Sequence, residues 1–294
     1  MILVTGATGR TGSEVVRALV GGGRPVRAFV RDPAKARGLF GDGVELAVGD
    51  FADPASVRAA LAGVESLVLS CADDPRRVDW ETSAVDAAAA GGVRRIVKLS
   101  TIAAAPGAPV AFWDWHGRVE QHLRSSGVPS VVLQSSFYMS NLLAASEQVA
   151  REARLYAPAG TARIAMIDPR DVGAAAAAVL SDGSHEGRTY LLTGPEAITY
   201  AQVAAELSAA TGREVEFVDV PDAAARDAMI ESGLPAFVAE QVVKVFGMLR
   251  RGVAEDVTDA VESLTGRAPG TFGEFARAHS HVFAAVEEGA GRLG

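Results

Sequence analysis

Cysteine is all but missing from this chain of 294 residues. Cys71 stands alone, which excludes an internal disulfide framework and a cysteine-based metal cluster alike, and no metal is expected. Runs of five or six Lys or Arg are missing too, and 28 Lys and Arg against 36 Asp and Glu leave a net charge of −8. Nothing therefore supplies the phosphate-neutralising surface that nucleic-acid binding requires. The opening apolar run is too short for a membrane span and has no basic leader, so no membrane partner and a cytoplasmic location are expected. No internal repeat or low-complexity linker interrupts the chain. What is present is ordinary for a packed protein: 49% hydrophobic residues, over a length that suits one large α/β unit with a smaller lobe. Disorder is expected only at the Gly-rich C-terminal end.

The most informative stretch is Met1 to Gly12. Ile2, Leu3 and Val4 form a short apolar run, after which the chain breaks into glycines at Gly6, Gly9 and Gly12 and a helical pattern begins. This is strand, tight turn, helix. Gly6 permits the turn, Gly9 the close approach of a pyrophosphate, and Gly12 the packing of helix on strand, while the unpaired N–H groups of the helix N-terminus face the anion. A dinucleotide site is expected here, with Thr8, Arg10 and Thr11 among its contacts. The second strand, Val26 to Val30, ends in Arg31-Asp32-Pro33. An acid at this point receives the 2′-hydroxyl of NAD, and an arginine accommodates the 2′-phosphate of NADP. Arg31, with Arg10, favours NADPH over NADH because guanidinium forks suit phosphate, although both arginines also read as solvated surface and Asp32 keeps NAD open.

Further strands are expected at Val44–Val48, Ser66–Ser70, Arg95–Ser100 and Ser130–Gln134, with helices between them. The alternation implies an α/β protein with a doubly wound parallel sheet and its ligand across the carboxyl ends of the strands. Those ends supply the remaining cofactor candidates: Asp50 and Phe51 beside the adenine, Ser70 and Cys71, Ser100 and Thr101, and Ser135 and Phe137. No His or Cys adjoins Cys71 in sequence, and it reads more simply as packing. The segment Ser135 to Met139 fits a nicotinamide-side wall, and equally an ordinary turn before a buried helix.

The loop from Thr101 to Trp115 leaves a strand at the same edge and carries Phe112, Trp113 and Trp115. With Tyr138, these rings are candidates for stacking on a flat aromatic small molecule; alternatively they anchor the loop to the core. A helix is expected from His116 to Ser125, placing His116 and Glu120 on one face, where the carboxylate orients or charges the imidazole. His116 is the candidate proton donor, or else a capped surface histidine. Later elements are expected as strands at Arg163–Ile167, Thr189–Leu192 and Glu214–Val218. Helices are expected at Val172–Leu180, Tyr200–Ala210 and Ala223–Gly252, the last broken at Gly233-Leu234-Pro235.

Several motifs together carry a resemblance. They are Thr5-Gly6-Ala7-Thr8-Gly9-Arg10-Thr11-Gly12, Val30-Arg31-Asp32-Pro33, Gly49-Asp50-Phe51, Leu99-Ser100-Thr101 and Ser126-Gly127-Val128-Pro129. Later come Asp168-Pro169-Arg170-Asp171-Val172-Gly173, Leu264-Thr265-Gly266-Arg267 and Thr271-Phe272. Nearly end to end, the chain resembles the NmrA-like branch of the atypical short-chain dehydrogenases/reductases. The resemblance implies NADP(H) binding in an extended Rossmann domain at residues 1–153, with returns of the chain near 163–193. It implies a small C-terminal α+β lobe, residues 194–294, that mainly covers substrate, in a monomer or homodimer. Similar chains include quinone reductases, reductases of plant phenolic ethers, ketoreductases of actinobacterial polyketide pathways, and regulators that bind the dinucleotide without turnover.

The wider superfamily uses Tyr-x-x-x-Lys, and none of Tyr138, Tyr156, Tyr190 and Tyr200 has a lysine four residues on. Counting back from Ser126, His116 falls where the tyrosine would stand. The expected activity is an NADPH-dependent ketoreductase acting on a polycyclic aromatic or quinone-like natural product. Its proton comes from His116, or from the substrate through an internal phenolic hydrogen bond. The Ala, Gly and Arg bias fits a GC-rich genome and antibiotic biosynthesis. An NADPH quinone reductase and a redox-sensing regulator are the alternatives; sugar-nucleotide epimerisation would need the missing tyrosine.

Overall fold

The computed structural model describes residues 1–285; the Gly-rich end expected to be disordered lies largely outside them. The first half alternates strictly: β1 (Ile2–Val4), α1 (Arg10–Gly21), β2 (Val26–Val30), α2 (Pro33–Phe40), β3 (Glu45–Val48), α3 (Pro54–Ala60), β4 (Ser66–Leu69), α4 (Arg77–Ala90), β5 (Arg95–Thr101), α5 (Ala111–Ser125) and β6 (Ser130–Ser135). A 3₁₀ segment at Met139–Ala145 leads to α6 (Ser146–Glu152), β7 (Arg154–Ala157), α7 (Pro169–Ser181) and β8 (Thr189–Leu192). Then come α8 (Tyr200–Thr211), β9 (Glu216–Asp219), α9 (Asp222–Glu231), α10 (Ala236–Leu249), α11 (Ala260–Thr265), α12 (Phe272–Ala278) and α13 (Ser280–Phe283).

Seven strands form one parallel sheet in the order β3-β2-β1-β4-β5-β6-β8, flanked by helices as in a Rossmann fold. Strand order reverses between β1 and β4, which opens a crevice at their carboxyl ends. Below it, Leu3, Leu67, Leu69 and Ile96 pack with Val85 and Ala88 of α4 and Val119 and Leu123 of α5. On the other face α1 lies against α7, and at Gly173 a side chain would meet the Glu14 backbone 2.7 Å away.

The chain divides into two compact units. The sheet unit comprises residues 1–136, 169–193 and 258–269, and the second unit comprises 137–168, 194–257 and 270 onward. Beside the expected division at 153 and 194, with returns near 163–193, the chain leaves the sheet unit at Ser136 and re-enters it at 169 and again at 258. The last return is fixed by Thr258, whose Oγ1 donates to the Leu191 carbonyl at 2.6 Å. In the second unit β7 and β9 pair in parallel, and Tyr200 sits 5.7 Å from both Phe217 and Phe246.

Two expectations are corrected. The aromatic residues Phe112, Trp113 and Trp115 are not in a loop, because α5 begins at Ala111 and carries them in its first turns. Its N-cap, Val110, offers no side-chain cap; instead Asp114 accepts the Gly107 N–H at 2.7 Å and braces the incoming turn. Residues 163–167 are not a strand either, and hold only isolated bridges, Ile164 to Ile198 and Tyr138 to Ile167.

Candidate active site

The glycine turn is a backbone cradle. Gly6 has φ +61°, and a Cβ there would lie 2.9 Å from the Ser70 carbonyl oxygen, while one on Gly12 would overlap the Gly6 carbonyl. Only hydrogen fits at either place. The turn closes through Gly9 N–H donating to Gly6 O at 2.9 Å, and Thr5 Oγ1 ties it to β4 by donating to Ser70 O at 2.8 Å. Helix α1 then starts from Gly9 with no side-chain cap and no acid in its first turn, so its amide N–H groups favour an anion. Thr8 and Thr11 are half-buried around it, and Arg10 and Arg31 are exposed.

Asp32 next door is committed elsewhere. Its carboxylate accepts from the N–H groups of Ala34 and Lys35 at 2.9 and 3.0 Å and caps α2. That leaves Arg31 as the charge available at the end of β2. At the end of β3, Asp50 accepts the Ala52 N–H at 2.8 Å, and Phe51 stands edge-on to Phe29 and stacked on Trp80 at 6.4 Å. Trp80, over which Arg76 lies at 4.4 Å, was not anticipated; it is the third tryptophan of the chain, hidden in an alanine-rich helix.

At the ends of β4 and β6 the polar groups differ in kind. Burial, with Glu81 nearby, pushes the Cys71 thiol up to about 11, so it stays protonated and unreactive. The hydroxyls of Ser135 and Ser136 are fully buried with no hydrogen-bond partner among the described residues. Orphaned buried hydroxyls in a native fold call for a partner outside the chain. Together with the cradle they fit a dinucleotide laid across the strand ends. Phe137 and Tyr138, expected beside them, belong to the second unit, where Phe137 lies 6.2 Å from Phe246.

The face of β5 toward α4 and α5 carries two buried polar groups of residues. Lys98, fully buried, donates to both oxygens of Glu81 at 2.7 and 2.9 Å, and Arg77 donates to Glu81 at 3.2 Å and to the Cys71 carbonyl at 2.7 Å. Burial lowers the Lys98 pKa against the pull of Glu81. None of the three was anticipated, yet a lysine between Val97 and Leu99 in a central strand is a legible signal, since an ammonium there requires a buried partner.

Two residues further along β5, on the same face, is Ser100, which donates to Glu120 Oε1 at 2.5 Å and lies 3.3 Å from His116 Nδ1. Glu120 also receives Gln134 Nε2 at 3.0 Å and Arg124 at 2.8 Å. His116, Glu120 and Ser100 are thus brought together, but Glu120 does not charge the imidazole. Ser100 stands between them, and desolvation, with Arg77 and Lys98, holds His116 well below its usual pKa. The ring is neutral. On the same helix Trp113 and Trp115 are buried, and Phe112 is half-buried with its ring 5.5 Å from Trp115. Thr101 ends β5 half-buried.

Residues 1–276 match the NmrA-like family. The protein is a member of that family. This NmrA-like chain is 38% identical over 286 residues to an NAD(P)H azoreductase of Xenophilus azovorans, covering 97% of the chain and all of the relative. It is 39% identical over 285 residues to (4-alkanoyl-5-oxo-2,5-dihydrofuran-3-yl)methyl phosphate reductase of Streptomyces griseus, covering 97% of the chain and 99% of the relative. Among solved structures it is similar to the NADPH-dependent quinone oxidoreductase of Escherichia coli complexed with NADPH. The TM-score is 0.86 at 32% identity, over 96% of this chain and 100% of that one.

Proposed function

We propose that this NmrA-like protein is an NADPH-dependent reductase of flat, conjugated carbonyl acceptors, quinones or polycyclic aromatic ketones such as those of polyketide-like natural products. The coarser statement, an NAD(P)H-dependent oxidoreductase, rests on family membership and on the relatives' activities. The amides of the glycine turn and of the first turn of α1 would hold the pyrophosphate, Arg10 and Arg31 the 2′-phosphate, and Phe51 the adenine side. The orphaned Ser135 and Ser136 hydroxyls would meet the nicotinamide side. Bound there, the nicotinamide supplies a hydride.

The observation that carries the acceptor class is the neutral, desolvated His116 in a chain without Tyr-x-x-x-Lys. Hydride addition to an isolated ketone leaves an alkoxide, a base about as strong as hydroxide, which needs an acid at hand. Addition to a quinone leaves a phenolate-type anion with a conjugate-acid pKa of about 10, which takes its proton from water. Such an acceptor stabilises its own charge, a polycyclic ketone flanked by a phenolic hydroxyl would protonate its alkoxide through the internal hydrogen bond, and His116 then serves as a polar contact. Phe112, Trp113 and Trp115 are assigned as the aromatic wall.

The test is NADPH oxidation by the purified protein against naphthoquinones, polycyclic ketones and unconjugated ketones, with NADH in parallel. Turnover confined to the conjugated compounds supports the reading. Comparable rates on unconjugated ketones would reveal a proton donor and overturn it. Tight NADP binding with no oxidation of any compound identifies a dinucleotide-sensing regulator instead.

A further inference from the structure

Three groups in a row determine where the protons of this site reside. Glu120 accepts hydrogen bonds from Gln134 and Arg124, and the single proton of Ser100 Oγ is directed to it at 2.5 Å. Ser100 Oγ then has only lone pairs left for His116 Nδ1, 3.3 Å away. A neutral imidazole satisfies that contact when its proton is on Nδ1. Gln134 and Arg124 hold Glu120 in place from two other sides, at 3.0 and 2.8 Å. The cations Lys98 and Arg77 on the neighbouring strand and helix act against a second proton on the ring.

We infer that Glu120, acting through Ser100, holds His116 as the Nδ1–H tautomer, so that Nε2 presents a lone pair and accepts a hydrogen bond from a hydroxyl of the bound ligand. This rests on the reductase reading for its ligands, though not for the tautomer. Nε2 has no hydrogen-bond partner among the described residues, and His116 as a whole residue keeps 7% of its exposure. Ser100 and Glu120 are positioning residues, since they act through His116. The hydroxyl belongs either to the ribose of the dinucleotide or to the aromatic acceptor. Either way, a ligand whose hydroxyl is methylated or missing leaves the lone pair unmatched and binds more weakly, by about tenfold for one neutral hydrogen bond.

Long-range proton–nitrogen NMR on protein labelled in its five histidines, with His116→Gln assigning the His116 signals, reads this without turnover. At neutral pH the wild-type spectrum is expected to show a protonated Nδ1 and a bare Nε2; a protonated Nε2 overturns the inference, whatever the variants do. Ser100→Ala and Glu120→Gln are expected to release the ring to a mixture of tautomers, and Ser100→Thr to retain one. An unchanged tautomer in folded Ser100→Ala removes the relay. NADP⁺ is then added, followed by a hydroxynaphthoquinone or its methyl ether. Movement of Nε2 on NADP⁺ places the hydroxyl on the ribose, and movement on the hydroxyquinone alone places it on the acceptor. Movement with neither overturns the recognition. Absence of NADPH oxidation in the separate assay would sink the reductase reading and leave the tautomer result standing.

Discussion

His116, at 7% exposure, has a native pKa below the unfolded value of about 6.5. Between those two values the unfolded chain binds a proton that the native ring does not, so stability falls as pH drops below about 6.5. For this one group the slope is at most about 1.4 kcal/mol per pH unit. Thermal melts from about pH 7.5 to about pH 5.5 should therefore show a decline that is shallower in His116→Gln. At Cys71 the raised pKa gives a second expectation. With the thiol moved from 9.0 to about 11, the thiolate fraction at mildly alkaline pH is about a hundredfold lower than in an ordinary cysteine. Alkylation of the native protein by iodoacetamide should be slower in that proportion, with unfolding restoring it. Residue types alone mark His116, Ser100 and Glu120 as candidates. Their order, with Ser100 in the middle, was not legible, because it depends on which faces β5 and α5 turn toward each other, and the residue spacing within either element does not fix that.

At the scale of elements, the glycine turn was legible because all its determinants lie within twelve residues: an apolar strand, a positive φ at Gly6, and a helix packed too closely for a side chain at Gly12. The start of α5 was not, since its brace is Asp114 receiving an N–H from Gly107 rather than a Ser, Thr or Asp at the cap itself. The end of β2 lies between these cases. Arg31 and Asp32 compete on paper for the ribose, and capping of α2 by Asp32 settles which is available. Arg31→Ala should accordingly weaken NADPH binding by about ten- to hundredfold, the worth of a charge-assisted hydrogen bond, and leave NADH binding nearly unchanged. Titration of the cofactors into both proteins measures it.

Over the whole molecule, the alternation of strand and helix made the parallel sheet legible up to β6, because each βαβ step is local. A return near 163–193 came from the family resemblance, whereas the departure at Ser136 and the last return at 258 were not legible, since they are long-range events. A chain cut after residue 153, without the later returns, loses β8, which pairs with β6, and α7, which covers α1. It would expose a sheet edge and an apolar helix face. Such a fragment should aggregate or lack a cooperative melt and should not bind NADPH, as sedimentation, thermal melts and cofactor titration beside the full chain would show.

The three-part threading of the sheet unit also sets a timetable. The glycine turn leaves the ribosome long before Thr258, which holds the end of β8 through Leu191. In the interval between them the nascent chain carries an unfinished sheet, whose open edge and uncovered apolar surface favour association with other chains until the sheet can close.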